Sequence, residues 1–195
     1  MDKTKKTICV YCGSSNSADQ KYKDAAIQTG EIIAREGWRL VYGGGRVGLM
    51  GLTADAVLEN GGEVVGIIPE FIQTREVEHR DLTELHIVET MHERKKMMVD
   101  HADVFICLPG GLGTLDETFE IMTWKQLGLH NKPIIIANIN GYWDHLIALA
   151  EGLAKEKFMR AEDLGIFDVI RDTREITDVI KNAKMETFDP STKWI

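Results

Sequence analysis

The chain has 195 residues, of which 44% are hydrophobic and 28% are charged, and its formal net charge is -8. This size and composition suit one ordinary globular domain with a full core, and they exclude a disordered or collagen-like chain. The acidic balance offers no basic surface to a nucleic-acid backbone, so we expect no nucleic-acid partner.

The apolar segments and the cysteines bear on the compartment. No apolar run approaches the roughly 18 consecutive residues that a membrane span requires, so we expect no membrane partner. The first apolar run ends at Cys12, which is too short for a secretory signal, and we expect a cytoplasmic protein. Cys9, Cys12 and Cys107 form an odd set, for which we predict buried, reduced thiols rather than a redox pair or a zinc site. The histidines show no metal-binding spacing, and we expect neither a metal nor a cofactor.

Short β-branched runs alternate with amphipathic stretches along the chain. The runs predicted to be strands are Thr7–Cys12, Arg39–Tyr42, Glu63–Ile68, Leu85–Val88, Val104–Leu108 and Pro133–Ala137. Helices are predicted at about 19–36, 48–60, 91–101, 114–128, 142–157 and 173–183. Gly37, Gly61 and Gly128 are predicted to end three of them.

This alternation indicates an α/β fold. Val104–Leu108 and Ile134–Ile136 are apolar at every position, as is typical of parallel strands covered on both faces. We therefore predict one Rossmann-like domain over residues 1–195, with a doubly wound, mainly parallel sheet and peripheral tails at 1–6 and about 186–195. Such sheets bind ligands beyond the carboxyl ends of their strands, so the loops after the strands are the candidates for chemistry.

The first of these loops, Tyr11–Ser17, is small and polar. It could offer backbone N–H groups and hydroxyls to an anion, or it could be a turn that caps the next helix. Both interpretations are open from this segment alone.

The second loop, Gly43–Gly51, fits the G-x-G-x-x-G pattern and opens a helix. In a dinucleotide enzyme an acid about 20 residues later would bind the ribose, and Glu70 stands at about that distance. Alternatively, Pro69 and Glu70 only begin a long loop.

The third loop, Pro109–Glu117, follows the most apolar strand. Its three glycines allow close approach of a ligand, and a helix predicted to start near Thr114 would direct free N–H groups into the same space. This predicts a phosphate cradle, although not a Walker A loop, because no Lys-Ser or Lys-Thr pair follows the glycines. For Glu117 two roles are open, a catalytic one and a capping box with Thr114.

These motifs together resemble the Lonely Guy (LOG) family. The resemblance rests on CGSS at 12–15, GLMG at 48–51, MHERK at 91–95 and PGGLGTLDE at 109–117, and it extends from about Thr7 to about Ala150. Members are cytokinin-activating phosphoribohydrolases that are often labelled lysine decarboxylases. That label requires pyridoxal phosphate on a Schiff-base lysine with its partners, and the sequence shows no such constellation.

The resemblance implies hydrolysis of the N-glycosidic bond of a nucleoside 5′-monophosphate, usually an N6-modified AMP, to the free base and ribose 5-phosphate. It implies Glu117 and Arg94 as catalytic residues and a homodimer with sites near the interface. The implied substrate-binding residues are Ser14, Gly45, Glu76, Lys95, Gly110, Gly111, Leu112, Gly113, Thr114, Leu115, Asp116 and Thr123. Members often carry an aromatic residue where this chain has Leu112 and a glutamate where it has Asp116, a departure that bears on base preference.

The chemistry of these residues agrees with such a reaction. Breaking a glycosidic bond leaves a ribosyl cation, so the site needs a negative charge near the sugar and a base to orient water, and Glu117 can supply both. Arg94 can bind a phosphate or the departing base through its planar, always charged fork. Its alternative is a solvated basic face, because Lys95 and Lys96 follow it.

Two further expectations concern the helix after the third loop and the class of protein. Glu117, Glu120 and Thr123 are predicted to share a polar face toward the site. The stripe predicted to be buried is Leu115, Phe119 and Met122. A non-catalytic nucleotide-binding or cofactor-binding carrier that uses the same loops is the alternative function.

Overall fold

A computed structural model describes residues 5–73, 79 and 81–183 of the chain. Its strands form one parallel sheet, and they are β1 (Thr7–Tyr11), β2 (Arg39–Tyr42), β3 (Glu63–Pro69), β4 (Glu84–Val88), β5 (Val104–Cys107), β6 (Ile134–Ala137) and β7 (Asp168–Ile170). The α-helices are α1 (Gln20–Arg35), α2 (Gly48–Glu59), α3 (Glu70–Gln73), α4 (Met91–His101), α5 (Leu112–Gln126), α6 (Asp144–Lys155) and α7 (Ile176–Asn182). Three short 3₁₀ helices lie at Ile139–Gly141, Ala161–Ile166 and Thr173–Glu175.

The strand order is β4-β3-β2-β1-β5-β6-β7, and every neighbouring pair is parallel. The chain builds outward from β1 to β4, returns to the other side of β1 with β5, and then builds outward again. The prediction of a doubly wound, Rossmann-like sheet is therefore confirmed. The direction of winding reverses between β1 and β5, and a crevice forms at such a point in this class of fold.

Two apolar layers cover the sheet. On one face Ile8 and Val10 of β1 lie in a cluster with residues of α1, α2 and α7. On the other face Cys9 and Tyr11 lie with residues of α4, α5 and α6. The inner strands are buried almost throughout, whereas the edge strands β4 and β7 are partly exposed. This explains why the inner strands are uniformly apolar in sequence.

The predicted elements agree with the structure in most places. The helix expected at 91–101 is α4 at those bounds, and Gly37, Gly61 and Gly128 follow the ends of α1, α2 and α5 with positive φ angles. Strand β7 was not predicted, because Asp168 and Val169 are exposed and only Ile170 is buried. Residues 1–4 and 186–195, which make up most of the predicted tails, lie outside the described residues.

Candidate functional site

The loops after β1 and β5 meet at the point where the winding reverses. The N–H of Gly13 donates to the carbonyl of Pro109 at 3.0 Å, and the N–H of Leu108 donates to the carbonyl of Tyr11 at 2.9 Å. A Cβ on Gly13 would lie 3.2 Å from Cα of Gly110, so a larger residue would push the loops apart. The two loops therefore form one wall.

The loop after β2 docks onto that wall. The N–H of Gly48 donates to Oδ1 of Asn16 at 2.8 Å, and the N–H of Leu49 donates to the carbonyl of Gly13 at 2.9 Å. Gly48 has a φ of +61°, and a Cβ there would overlap the backbone of Ser14. Its close approach is thus to protein backbone and not to a pyrophosphate. Glu70, the proposed ribose acid of the dinucleotide alternative, is the exposed first residue of α3.

A cavity of about 190 Å³ opens where the three loops converge. Its lining comes from the loop after β1, from α2, from α4 and from the first turns of α5. The lining residues are Cys12, Gly13, Ser14, Met50, Arg94, Gly111, Leu112, Gly113, Thr114 and Glu117. Seven of the residues predicted for the site are thereby brought together, from parts of the chain up to a hundred positions apart.

Helix α5 presents its N-terminus to this cavity. The helix begins at Leu112 and not near Thr114, and Gly111 is the N-cap. Thr114 and Glu117 therefore lie within the first two turns, and the capping-box alternative for this pair is wrong. Capping boxes are present instead at α4, where Thr90 and Glu93 satisfy each other's backbone N–H groups, and at the 3₁₀ helix Thr173–Glu175, where Asp172 and Glu175 do so. At α5 the first backbone N–H groups remain directed to the side from which an anion would approach.

Arg94 is buried beside the cavity, with 6% of its surface exposed. Its Nη2 donates to the carbonyl of Gly43 at 3.2 Å, and a Cβ at Gly43 would overlap that guanidinium. Nε of Arg94 is also buried and has no hydrogen-bond partner in the described part of the chain. A buried donor without a partner costs free energy. Arg94 lines the cavity, so its guanidinium is placed to donate to an anionic or polar ligand there. The alternative of a solvated basic face for Arg94 is wrong.

Glu117 brings a negative charge to the same cavity. Burial raises the pKa of the Cys107 thiol to about 12, and the charge of Glu117 also acts to raise it. Burial and the same carboxylate raise the pKa of Cys12, which lines the cavity. Cys9, Cys12 and Cys107 are buried and free, as predicted. The carboxylate of Glu117 thus acts both on Cys12 of the cavity wall and on Cys107 of β5.

Lys95 faces a different neighbour from Arg94. Its Nζ contacts Oδ2 of Asp116 and Oε1 of Glu120, each at 3.0 Å, and this joins α4 to α5. Burial acts to lower the pKa of Lys95, but hydrogen bonds to Glu120 and Asp116 outweigh it, and the pKa is raised. Neither Lys95 nor Asp116 lines the cavity.

The other predicted site residues have various places. Gly110 is half-buried and does not line the cavity, Gly45 is buried in the loop after β2, and Leu115 is half-buried on α5. Thr123 lines a separate apolar groove of about 150 Å³ between α5, α6 and the segment after it. Glu76 lies outside the described residues.

The predicted faces of α5 differ from the observed ones. Glu117 lines the cavity, Glu120 pairs with Lys95, and Thr123 lies in the groove, so these three do not share one environment. Phe119 is 40% exposed, so the predicted buried stripe is wrong at this position. The residues that are buried are Thr114, Thr118, Ile121, Met122 and Lys125. Lys125 is tolerated there because its Nζ donates to the carbonyl of Ile166 at 2.9 Å.

Three lining residues, Cys12, Gly13 and Met50, were not predicted individually. Cys12 and Gly13 belong to a motif that the sequence did single out, so their position after β1 was the available signal. Met50 belongs to the GLMG motif at 48–51, but an apolar residue in a predicted helix by itself indicates core. Among residues 5–73, 79 and 81–183, no group of three or more potential ligands is placed to hold a metal ion. No helix within the same ranges is long and apolar enough to cross a membrane.

Comparison with known proteins places the chain in a family. A family model described as "possible lysine decarboxylase" matches residues 50–180. A cytokinin riboside 5′-monophosphate phosphoribohydrolase of Rhodococcoides fascians is 50% identical over 157 residues, which cover 80% of this chain and 79% of that protein. The chain belongs to the LOG family. A LOG-family phosphoribohydrolase of Arabidopsis thaliana is 45% identical over 154 residues, with 79% and 72% of the two chains covered.

Solved structures extend the likeness of this LOG-family chain at the level of fold. A molybdenum cofactor binding protein from Rippkaea orientalis has a TM-score of 0.70 at 23% identity, over 92% of this chain and 97% of that one. A molybdenum cofactor carrier protein from Chlamydomonas reinhardtii has a TM-score of 0.72 at 19% identity, over 91% and 96%. At such identities the likeness concerns the fold alone.

Proposed function

We propose that this protein hydrolyses the N-glycosidic bond of an adenosine 5′-monophosphate, with an N6-modified AMP as the preferred form. The products are the free base and ribose 5-phosphate. The observation that carries the proposal is the convergence of Arg94 and Glu117 on one cavity at the N-terminus of α5. The names of the relatives that match over most of the chain support the same reaction.

The two ends of the cavity suit the two ends of a ribose 5-phosphate. The first N–H groups of α5 and the glycines at 111 and 113 form an anion site for the 5′-phosphate. Glu117, about one and a half turns further along the helix, then lies beside the sugar. Ser14, Leu112 and Thr114 complete the walls, so we assign substrate contact to the lining residues.

The reaction follows from these positions. As the bond between C1′ and the base nitrogen breaks, positive charge develops on the ribosyl ring, and the Glu117 carboxylate stabilises it. Glu117 also orients the water whose oxygen bonds to C1′. The base leaves with the bonding electron pair and takes up, in net terms, the proton that the water loses. Arg94, which lines the cavity, donates to the phosphate or to the departing base.

In this proposal the other predicted site residues with known positions act from outside the cavity, namely Lys95, Asp116, Gly45, Gly110, Leu115 and Thr123. Lys95 and Asp116 hold α4 against α5 and so fix the relative positions of Arg94 and Glu117. Gly110 allows the close approach of the loops, since a Cβ there would lie 2.8 Å from the backbone nitrogen of Gly13. Glu76 is retained as a substrate contact on the basis of the family motif.

A lysine decarboxylase activity is not supported by the charge state of Lys95, which follows Arg94 on α4. A Schiff-base lysine must lose its proton to attack a carbonyl. Lys95 has a raised pKa and two carboxylate partners, which favour the charged form. The environment therefore acts against that chemistry.

We further propose a homodimer that works in the cytoplasm. A cavity of about 190 Å³ is smaller than the roughly 300–1,000 Å³ of ordinary ligand pockets. Leu112 at its rim is 85% exposed and Phe119 is 40% exposed, so an apolar surface is available to a second copy. Free, buried thiols suit a reducing compartment. Sedimentation at micromolar concentration should give the mass of a dimer, and a monomer mass would contradict this part.

The proposed substrate class is tested by comparing adenosine, AMP and isopentenyladenosine monophosphate side by side, with chromatography of the released base. Both monophosphates should be cleaved and adenosine should not, because the phosphate anchors the ribose with C1′ near Glu117. Equal rates on adenosine would overturn the phosphate-anchored site. Tight binding of AMP without release of base would instead favour the carrier alternative.

A further inference from the structure

The hydroxyl of Tyr142 lies against the loop that follows β5. Its Oη donates to the carbonyl of Gly110 at 2.7 Å, although the two residues are 32 positions apart. Tyr142 follows the 3₁₀ helix Ile139–Gly141 after β6, and β6 is the neighbour of β5 in the sheet. The segment after β6 therefore places Tyr142 beside the loop that follows β5. None of the motifs in the sequence analysis includes this residue.

The ring of Tyr142 is held on two sides. It makes edge contacts with Tyr22 of α1, at 5.4 Å between centroids, and with Trp143, at 4.9 Å. Edge-to-face pairs of this kind favour one ring orientation. These contacts favour one position of Oη, while 39% of the Tyr142 surface stays exposed.

The backbone that carries Tyr142 is also fixed. Asn138, which is fully buried, accepts a hydrogen bond at 2.7 Å from the N–H of Trp143 and donates to Asp144 at 2.7 Å. The N–H of Asn138 donates to the carbonyl of Ile170 in β7 at 2.8 Å. Hydrogen bonds of Asn138 thus connect this turn to β7, and they also hold the backbone next to Tyr142.

The hydrogen bond acts on one particular peptide group. Gly110 and Gly111 share a planar trans peptide, in which the carbonyl and the N–H point in opposite directions. With the carbonyl of Gly110 held by Tyr142, the N–H of Gly111 must point away from Tyr142. Gly111 lines the cavity and is the N-cap of α5.

We propose that Tyr142 is a positioning residue that holds the Gly110–Gly111 peptide so that the N–H of Gly111 is available to the substrate phosphate. This deepens the proposed function and rests on it for the identity of the phosphate. Tyr142 itself contacts only the loop. Without its hydroxyl the peptide can rotate, because glycine on both sides of the bond tolerates many backbone conformations.

The test compares Tyr142→Phe with Tyr22→Phe. Each variant removes one hydroxyl from the same aromatic pair, but only Tyr142 donates to the loop. Calorimetry with ribose 5-phosphate and with inorganic phosphate measures the affinity of the site for the phosphate group. Steady-state hydrolysis of AMP gives KM and kcat. Thermal unfolding of both variants monitors the fold.

Tyr142→Phe should weaken ribose 5-phosphate binding about fivefold to tenfold and raise KM for AMP by a similar factor, since one hydrogen bond is worth roughly 1 kcal/mol. The kcat should change less than twofold, because the phosphate contact is the same in the bound substrate and the transition state. Tyr22→Phe should bind and turn over as the unmodified protein does. A purely structural role would instead lower the midpoint of thermal unfolding and kcat together.

Unchanged ribose 5-phosphate binding in Tyr142→Phe overturns the proposal, as does an equal loss in Tyr22→Phe. If the unmodified protein binds ribose 5-phosphate but does not cleave AMP, the proposed function fails while the binding comparison still decides the role of Tyr142. If it binds neither ribose 5-phosphate nor phosphate, both proposals fail.

Discussion

Arg94 and Lys95 are neighbours on α4, are almost equally buried, and have opposite surroundings. Lys95 is bonded to two carboxylates of α5. Arg94 reaches the carbonyl of Gly43 with one nitrogen, while its buried Nε has no partner in the described structure. The charge of Lys95 is thus fully paired within the protein, whereas the hydrogen-bond donors of Arg94 are only partly paired.

The difference teaches how to distinguish a charge that supports the fold from a charge that serves a ligand. A buried cation with complete partners contributes to folding and leaves nothing for a substrate. A buried cation that lines a cavity and has a donor without a protein partner costs free energy in the fold and is placed to bind a ligand. The α4–α5 pair has two flanks. Its cavity flank carries Arg94 and Glu117, and its ion-pair flank carries Lys95 and Glu120. We therefore expect the two flanks to respond differently to substitution.

The largest expected effect is on the cavity flank, in Glu117→Gln. The amide keeps the shape of the side chain and removes the charge that stabilises the ribosyl cation, so we expect a loss of about 3 kcal/mol or more, or at least about 100-fold in kcat. Measurement of base release from AMP checks this. Glu120→Gln, on the same helix, is the matched control and should retain most of the turnover. Near-normal rates for Glu117→Gln would remove Glu117 from the mechanism.

Arg94→Ala should reduce both affinity for AMP and turnover. A charge-assisted hydrogen bond to the phosphate or base is worth roughly 1.5–3 kcal/mol, which corresponds to about 10-fold to 150-fold in kcat/KM. The buried Gly43 carbonyl loses its donor, so the free energy of unfolding should also fall, by about 1 kcal/mol. Arg94→Lys keeps the charge without the planar fork and should recover only part of the activity. If Arg94→Ala unfolds the protein while Arg94→Lys is fully active, the cavity role of the guanidinium is wrong.

Lys95→Met should lower the stability of the protein more than its activity, which is the reverse of the effect expected for Arg94→Ala. Removing the ammonium leaves two carboxylates facing each other without their cation, and we expect a loss of about 1–3 kcal/mol in the free energy of unfolding, measured in urea. The loss in kcat/KM should be smaller than for Arg94→Ala. Lys96→Met is the control, because Lys96 pairs with Asp100 at the exposed surface, where ion pairs contribute little. A larger loss of activity than of stability in Lys95→Met would make Lys95 a direct substrate contact.

The smallest expected effect is that of a chelator. The proposed chemistry uses a carboxylate, a guanidinium and backbone N–H groups, so hydrolysis of AMP should proceed at an unchanged rate in EDTA. A parallel assay with added Mg²⁺ serves as the comparison. Inactivation by EDTA that Mg²⁺ or Zn²⁺ reverses would contradict the assignment of these groups as the complete machinery.

Much of the fold could be predicted because its signals are local. Parallel strands covered on both faces are apolar throughout, and glycines that follow helices mark their ends, so most elements lie within a few residues of the predicted positions. The start of α5 was misplaced for an equally local reason. Thr114 and Glu117 have the spacing of a capping box, which predicts a helix that starts near Thr114. The observed N-cap is Gly111, which has no side-chain oxygen and therefore gives no N-cap signal in the sequence.

The site could be predicted only in part, because its decisive contacts join distant parts of the chain. The sequence of 94–96 is a run of three basic residues, and such a run indicates a solvated surface. What buries Arg94 is the space left by Gly43, 51 positions earlier. The partners of Lys95 lie on another helix, and the hydrogen bond of Tyr142 crosses from one strand's loop to the next. No spacing rule within one segment contains this information.

The raised pKa values of the three thiols have a consequence for chemical durability. Alkylating reagents and peroxide react with thiolates, and at neutral pH burial keeps Cys9, Cys12 and Cys107 protonated. An electrophilic nucleotide analogue that enters the cavity would therefore meet an unreactive sulfur at Cys12, although that residue lines the wall. Labelling of these cysteines would instead report opening of the sheet, so the rate of thiol modification would measure how often the native protein unfolds.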